Sequence, residues 1–143
     1  MRVYQCQLTS AQANEVNSAG GWDEVDFGKA YLDATAMFGK ESGFHKVEAA
    51  YKLYSHTKNI DTSDPNVAFE IGNGFGAVDK ITWERPSKSI SVGDVLIDSS
   101  SRKGWIIKSF GFEELDIKQV RTFECNVITV IPFKGEILEG GII

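Results

Sequence analysis

The side chains of this 143-residue chain that are able to ligate a metal ion or attack a substrate are few and far apart. His45 and His56 lie eleven positions apart, so neither has a partner at the three- or four-residue spacing of a helical zinc site. Cys6 and Cys125 each lack a second cysteine two to four residues away. The spacing predicts no metal site, although a fold that brought these four side chains together would still create one.

Acidic and hydroxyl side chains give no catalytic pattern either. Glu113 and Glu114 are neighbours, and Asp23, Glu24 and Asp26 form a second acidic group. Adjacent carboxylates are far more common on solvated surfaces than as an acid and a base with separated pKa values. No serine lies in the G-x-S-x-G turn of a hydrolase. We therefore name no catalytic residue, and the sequence favours a protein that is not an enzyme while leaving an enzyme open.

Two glycine-containing stretches share features with phosphate-binding loops. "GNGFGA" (72–77) fits G-x-G-x-x-A, but a dinucleotide site needs a strand before the glycines and a helix after them. A predicted helix precedes this stretch and Pro86 follows it, which favours a glycine-rich helix end. "DSSSRKG" (98–104) offers hydroxyls and cations without the P-loop spacing, which favours a solvated hairpin loop. The sequence predicts no cofactor.

Composition indicates one domain, residues 1–143, in the reducing cytoplasm. The chain is 42% hydrophobic and 24% charged, which is ordinary for a globular domain. It shows no signal peptide and no apolar stretch of bilayer-spanning length. Cys6 and Cys125 lie in apolar, strand-like segments, so we expect buried thiols, with a single bridge between the two terminal strands as the alternative.

The net charge of −5 argues against non-specific binding to nucleic acid, which relies on clustered Lys and Arg to neutralise phosphates. Residues 79–108 are slightly basic, with six basic and four acidic side chains. The two signs are interleaved there, which favours a solvated surface over a nucleic-acid site.

Local signals in the first half predict strands and helices in alternation. "RVYQCQL" favours a first strand, and Thr9 with Gln12 forms the spacing of a capping box for a helix through "SAQANEVNSA". Gly20 and Gly21 should end that helix. Residues 21–43 suit a strand, a loop or a helix. "FHKVEAAYKLYSHTKNI" (44–60) predicts a helix that leads into a strand.

The second half contains a helix start and a hairpin. Asp64 followed by Pro65 is typical of an N-cap and first helical residue, so we predict a helix from about Pro65 to Ile71. A brief strand is predicted at 81–83, and Pro86 excludes a central strand there. "VLIDSSSRKGWIIKSFGF" (95–112) predicts an antiparallel hairpin, and "CNVITVIPF" (125–133) a final strand.

The predicted fold class is therefore α+β, a single compact domain with a mainly antiparallel sheet, a C-terminal hairpin and a few short helices. The hairpin is apolar on both faces along part of its length. Its favoured interpretation is structural, buried between helices and the rest of the sheet. The alternative is that one face forms an apolar patch for a protein partner. The candidate residues of that surface are Trp105, Phe110, Phe112, Arg102 and Lys103.

The stretch "SISVGDVLID" (89–98) followed by "GWIIKSFGFEEL" (104–115) resembles the C-terminal signature of the YodL-like domain and related small modules of phages, plasmids and conjugative elements. "HTKNIDTSDPNVAFEIGN" (56–73) resembles the segment that precedes that signature. The resemblance covers about residues 50–115. The chain departs from the pattern by a longer loop at 99–104 and by a further strand after the signature.

The resemblance implies a mobile-element protein, of phage origin, and brings no catalytic residues. We therefore expect a small non-enzymatic protein in the host cytoplasm that engages a host or phage protein, as in host takeover or counter-defence. Two alternatives stay open. The first is a nucleic-acid-associated accessory factor of phage replication or transcription, and the second is a nucleotide-processing enzyme whose site is assembled from distant residues. We expect no membrane association, and the oligomeric state is left open.

Overall fold

The computed structural model describes residues 1–35 and 43–126 and the short pairs 132–133 and 136–137. These residues form an α+β fold around a six-stranded antiparallel sheet, which confirms the predicted fold class. The strands are β1 (Arg2–Cys6), β2 (Tyr54–Ile60), β3 (Ile81–Trp83), β4 (Val95–Asp98), β5 (Lys103–Ile107) and β6 (Phe112–Leu115), in the spatial order β3-β2-β1-β4-β5-β6. A separate pair consists of β7 (Pro132–Phe133) and β8 (Glu136–Ile137).

Helices lie on both faces of the sheet. They are α1 (Ser10–Ala19), α2 (Gly28–Ala34), α3 (Phe44–Ala49), α4 (Pro65–Gly72) and α5 (Ile117–Asn126), with single 3-10 turns at Trp22–Glu24, Tyr51–Leu53 and Val78–Lys80. Residues 21–43, for which the sequence favours no single structure, contain the 3-10 turn Trp22–Glu24 and helix α2. Residues 36–42 of this stretch lie outside the described residues. None of the described helices is long and apolar enough to cross a bilayer.

Phe123 of α5 lies at the centre of the larger core, on the first face of the sheet. Its ring meets Tyr4, Tyr51 and Tyr54 edge-on, with ring centroids 5.0, 5.0 and 5.5 Å away. Edge-to-face contacts of this kind stabilise a core beyond the area they bury. The other buried members come from the strands and from α2, α3 and α5, and include Val95, Ile97, Ile106, Leu115, Ala34, Val47 and Val120.

The second face is covered by α4 and by the loop that precedes β4. Ala68 and Ile71, three residues apart on α4, lie in one cluster with the sheet residues Val3, Leu96 and Ile107. Ile90 closes this layer, and Trp105 and Phe112 lie at its margin, partly buried. The fold is thus three-layered, with the predicted hairpin strands β4 and β5 inside the sheet.

The predicted caps are present at α1 and α4. Thr9 Oγ1 accepts a hydrogen bond from the Gln12 amide at 3.1 Å, and Gln12 Oε1 accepts one from the Thr9 amide at 2.9 Å. Gly20 ends α1 in the left-handed conformation, with φ 92°. Asp64 accepts a hydrogen bond from the Asn66 amide at 2.8 Å, with Pro65 as the first helical residue. These side chains satisfy backbone groups that a helix end leaves unpaired, which explains why local sequence predicted both starts.

The predicted final strand is wrong in its first part, because Cys125 and Asn126 belong to α5. Asp116 and Gln119 form a capping box at its start, with hydrogen bonds of 2.8 and 3.0 Å. Residues 127–131 lie outside the described residues. The expectation of two buried thiols holds for Cys6, whose pKa burial raises to about 12, but Cys125 is exposed. The two sulfurs are not bonded to each other.

Candidate interaction surface

The structure separates the predicted surface residues into two groups. Arg102 and Lys103 are exposed at the β4–β5 connection. Arg102 has a φ of 57°, and Lys103, the first residue of β5, lies opposite Asp98 in the strand ladder. Phe110 and Phe112 follow the opposite end of β5. Because the five residues of β5 span roughly 15 Å, the two cations are not part of one contiguous surface with the aromatic rings.

A tight turn places Phe110 in solvent. The Lys108 amide donates to the Gly111 carbonyl at 3.0 Å, so Ser109 and Phe110 form a two-residue connection between β5 and β6. Gly111 has a φ of 72°, a conformation that glycine adopts without strain. Phe110 is 95% exposed. The second strand of the predicted hairpin (95–112) therefore ends at Ile107, and Phe112 belongs to the next strand, because the chain reverses at Ser109 and Phe110.

An apolar groove lies between α4 and β6, and its lining includes Ser109 and Gly111, the two neighbours of Phe110 in the chain. The ring of Phe69 on α4 meets Phe112 edge-on, with centroids 6.3 Å apart and an interplanar angle of 80°. The groove has a volume of about 260 Å³ and is lined by Asn66, Phe69, Ile107, Lys108, Ser109, Gly111 and Phe112. We call Phe69, Phe110 and Phe112, with this cavity, the aromatic groove.

Phe69 is the member of the aromatic groove that sequence reasoning missed. It is 36% exposed and lies next to Ala68 on a helix whose buried stripe is Ala68 and Ile71. An aromatic side chain on the outward side of the helix predicted from about Pro65 to Ile71 is the signal that sequence offers for it. Its neighbour in space, Phe112, is more than forty residues away in sequence, so no local pattern joined the two.

Trp105 lies on β5, inside the sheet. It is partly buried against the second-face core and pairs with Glu114 of β6. Its indole therefore belongs mainly to the packing of the fold, as the favoured interpretation of the hairpin has it. Phe112, one pair along the same ladder, lies opposite Ile107 and is likewise partly buried.

Three more exposed apolar side chains lie between the end of α4 and the end of β3. Phe75, Val78 and Trp83 are 69%, 53% and 54% exposed. The Trp83 ring has a partner there, because the Lys58 ammonium lies 4.5 Å from its centroid. This region therefore supplies a matched exposed aromatic, Phe75, outside the aromatic groove.

Beneath the loop before β4 lies a fully buried set of polar side chains, Gln5, Thr57, Lys58 and Asp94, which we call the polar network. Gln5 Oε1 accepts a hydrogen bond from Thr57 Oγ1 at 2.7 Å, and Gln5 Nε2 donates to Asp94 Oδ2 at 2.9 Å. Lys58 Nζ donates to the Lys88 carbonyl at 2.7 Å. These bonds tie β1 and β2 to the loop, which is a structural role for buried polar side chains.

Asp94 is the acid of the polar network, and its burial changes its protonation. Burial raises the pKa of its carboxyl to about 6, against the lowering effects of the Lys88 charge and of hydrogen bonds from Ser91 and Gln5. The Ser91 amide donates to Oδ2 at 2.8 Å, whereas Oδ1 has no hydrogen-bond partner among the described residues. The side chain is 1% exposed, so it does not reach solvent as a surface acid would.

The two histidines do not form a common site. His56 is buried beside the Tyr4 ring, and its Nε2 lies 2.8 Å from Asn59 Oδ1, while burial lowers its pKa. His45 is exposed on α3. Across residues 1–35 and 43–126, no three or more His, Cys, Asp or Glu side chains are grouped to hold a metal ion.

The acidic pair Glu113–Glu114 and the two glycine-containing stretches lie where their structural interpretations predict. Glu113 and Glu114 alternate along β6 opposite Ile106 and Trp105, so the two carboxylates point to opposite faces of the sheet. "GNGFGA" follows the end of α4 and is a helix-ending loop, and "DSSSRKG" connects β4 to β5.

No protein-family model matches the chain, and neither a curated protein nor a solved structure matches it.

Proposed function

We propose that this chain is a small non-enzymatic binding protein that engages a host or phage protein through the aromatic groove. The observation that carries the proposal is Phe110, which is 95% exposed in a tight turn beside a groove lined by Phe69 and Phe112. Burying such a side chain in an interface is worth about 1.5–3 kcal/mol. Aromatic side chains at a pocket are also the typical anchors of protein interfaces.

The rigidity of the surroundings supports this function. Phe110 lies in a two-residue turn closed by the Lys108 amide, and Phe112 is held by pairing with Ile107. A backbone that a tight turn already fixes loses less conformational entropy on binding than a long loop does. The groove is therefore prepared for a partner without a rearrangement of the backbone.

The resemblance of residues 50–115 to YodL-like modules supports a mobile-element origin, with phage as the source. We accordingly propose that the protein acts in the cytoplasm of the host cell, in host takeover or counter-defence. The acidic net charge of −5 and the distance of Arg102 and Lys103 from the groove favour a protein partner over nucleic acid.

The test is capture of partners by tagged protein expressed in its natural host, followed by a wash at high salt. An apolar contact survives ionic screening, so we expect a specific protein to be retained by wild type. We expect Phe110→Ser to lose that protein, whereas Phe75→Ser, a matched exposed phenylalanine outside the groove, keeps it.

Three outcomes overturn the proposal. Equal retention by Phe110→Ser and Phe75→Ser would place the contact elsewhere. Recovery of nothing but nucleic acid that salt releases would favour the accessory factor of replication or transcription. Turnover of a nucleotide that His45→Ala or His56→Ala abolishes would favour the enzyme.

A further inference from the structure

We propose that the partner binds as an extended peptide strand that pairs with the free edge of β6, with an apolar side chain in the aromatic groove and a basic side chain against Glu114. This inference rests on the proposed function and names the chemistry of the partner. Strand β6 is the outer strand of the six-stranded sheet. Outer strands present unpaired backbone groups that accept a further strand.

The hydrogen-bond phase of β5 shows which groups of β6 face outward. Ile107 bonds to the β4 side, because its amide donates to the Asp94 carbonyl and its carbonyl accepts from the Gly93 amide. The Lys108 amide, one residue on, donates to Gly111 across the turn. Alternation along an antiparallel ladder then directs the backbone groups of Glu113 inward, toward Ile106.

The amide and carbonyl groups of Phe112 and Glu114 consequently point away from the sheet. No hydrogen bond joins them to another residue in the part of the chain that the structure describes. They provide up to four backbone hydrogen-bonding groups for an incoming strand, spaced at alternate residues as a ladder requires.

The side chains beside this edge determine what the strand must carry. Phe112 and Glu114 lie on the second face, since they pair with Ile107 and Trp105. A residue placed opposite Phe112 would therefore lie in the groove beside Phe69, where an apolar side chain is buried. A residue placed opposite Glu114, which is exposed, would meet its carboxylate.

Charge selects a basic peptide over a second copy of this chain. Two β6 strands aligned edge to edge would bring the exposed Glu114 carboxylates of both copies close together, and like charges across a ladder are destabilising, whereas Glu113 is paired with Lys108 on the other face. Asp116, exposed at the end of the strand, adds to the same field. Lysine or arginine on the incoming strand would instead be attracted to this edge.

The experiment uses Glu114→Pro with Glu114→Ala as its matched control. Both variants remove the carboxylate, but only proline removes the outward amide, and edge strands tolerate proline where the amide faces solvent. The probe is a library of random short peptides displayed on yeast. We expect wild type to enrich peptides that alternate apolar and basic residues, and Glu114→Pro to bind them about tenfold more weakly than Glu114→Ala.

If Glu114→Pro unfolds, the enriched peptides are tested instead with alternate backbone amides methylated. Methylation removes the N–H donors that pair with β6, so we expect it to weaken binding to wild type. Equal binding by Glu114→Pro and Glu114→Ala, or no effect of methylation, would overturn strand addition. So would a dimer that Glu114→Pro dissociates, since a second copy would then be the occupant. If Phe110→Ser loses the retained host protein while Glu114→Pro keeps it, strand addition fails and the proposed function stands.

Discussion

The polar network and the aromatic groove reverse the usual distribution of side chains between core and surface. Lys58 and Asp94 are almost fully buried, whereas Phe110 is almost fully exposed. The buried set is held by short hydrogen bonds that connect β1 and β2 to the loop before β4. In the aromatic groove, Phe69 and Phe112 contact each other, whereas the Phe110 ring lies in solvent. The comparison indicates that the polar side chains maintain the fold and that the exposed aromatic side chain is available for a partner.

The largest effect should follow from breaking the polar network at Gln5. Gln5→Ala removes the acceptor of Thr57 and the donor to Asp94, and it leaves a cavity beside both. We expect a loss of about 3–5 kcal/mol in the free energy of unfolding, measured by chemical denaturation. Gln7→Ala, at the end of the same strand, is the control and should stay within about 0.5 kcal/mol of wild type. Similar losses for the two variants would contradict a structural role for the network.

The second effect is a dependence of stability on pH that originates at Asp94. Its pKa is about 6 in the folded protein, above the ordinary value of 3.8 that applies when the chain is unfolded. The folded protein therefore retains a proton that the unfolded chain releases, so stability is fully present below about pH 4 and is lost as pH rises through about 6.

We expect wild type to lose roughly 3 kcal/mol relative to Asp94→Asn between about pH 4 and pH 7. Denaturation of both proteins across that range measures the difference. Asp79→Asn removes an exposed carboxylate and controls for loss of a surface charge. A constant difference between wild type and Asp94→Asn would show that Asp94 does not titrate in this window.

A smaller effect is expected at Trp105, which is packed against the second-face core. Full burial of the indole would make Trp105→Ala cost about 3–5 kcal/mol, but Trp105 is only partly buried at the margin of the second-face core. We expect a loss of about 1–3 kcal/mol in the free energy of unfolding, because less apolar area is exposed. An unchanged melting temperature would assign the indole to the surface instead.

Local signals predicted the parts of the fold that local interactions decide. The capping box at Thr9, the Asp64 and Pro65 start of α4 and the alternation of β4 and β5 were all readable from short stretches. The start of α5 carries the same capping-box signal at Asp116 and Gln119. It was missed because the β-branched run after Cys125 favoured a strand, whereas the contacts of Phe123 with three tyrosines stabilise a helix.

The two sites of this comparison were beyond local reasoning. Gln5 and Asp94 are 89 residues apart in sequence and meet only because β1 lies beside β4. Phe69 joins Phe112 only because α4 covers the second face next to β6. Strand order and helix placement decide such pairs, and neither is encoded in a short window.

The most direct test of this division is a thermal unfolding experiment on wild type and Phe110→Ser, each with and without the retained partner. A partner that binds only the folded state raises the melting temperature of the protein that it binds. Without partner, we expect the two proteins to melt alike, because Phe110 is 95% exposed. With partner, wild type should be stabilised and Phe110→Ser should not. Equal stabilisation of both proteins, or a lower melting temperature of Phe110→Ser alone, would contradict the account.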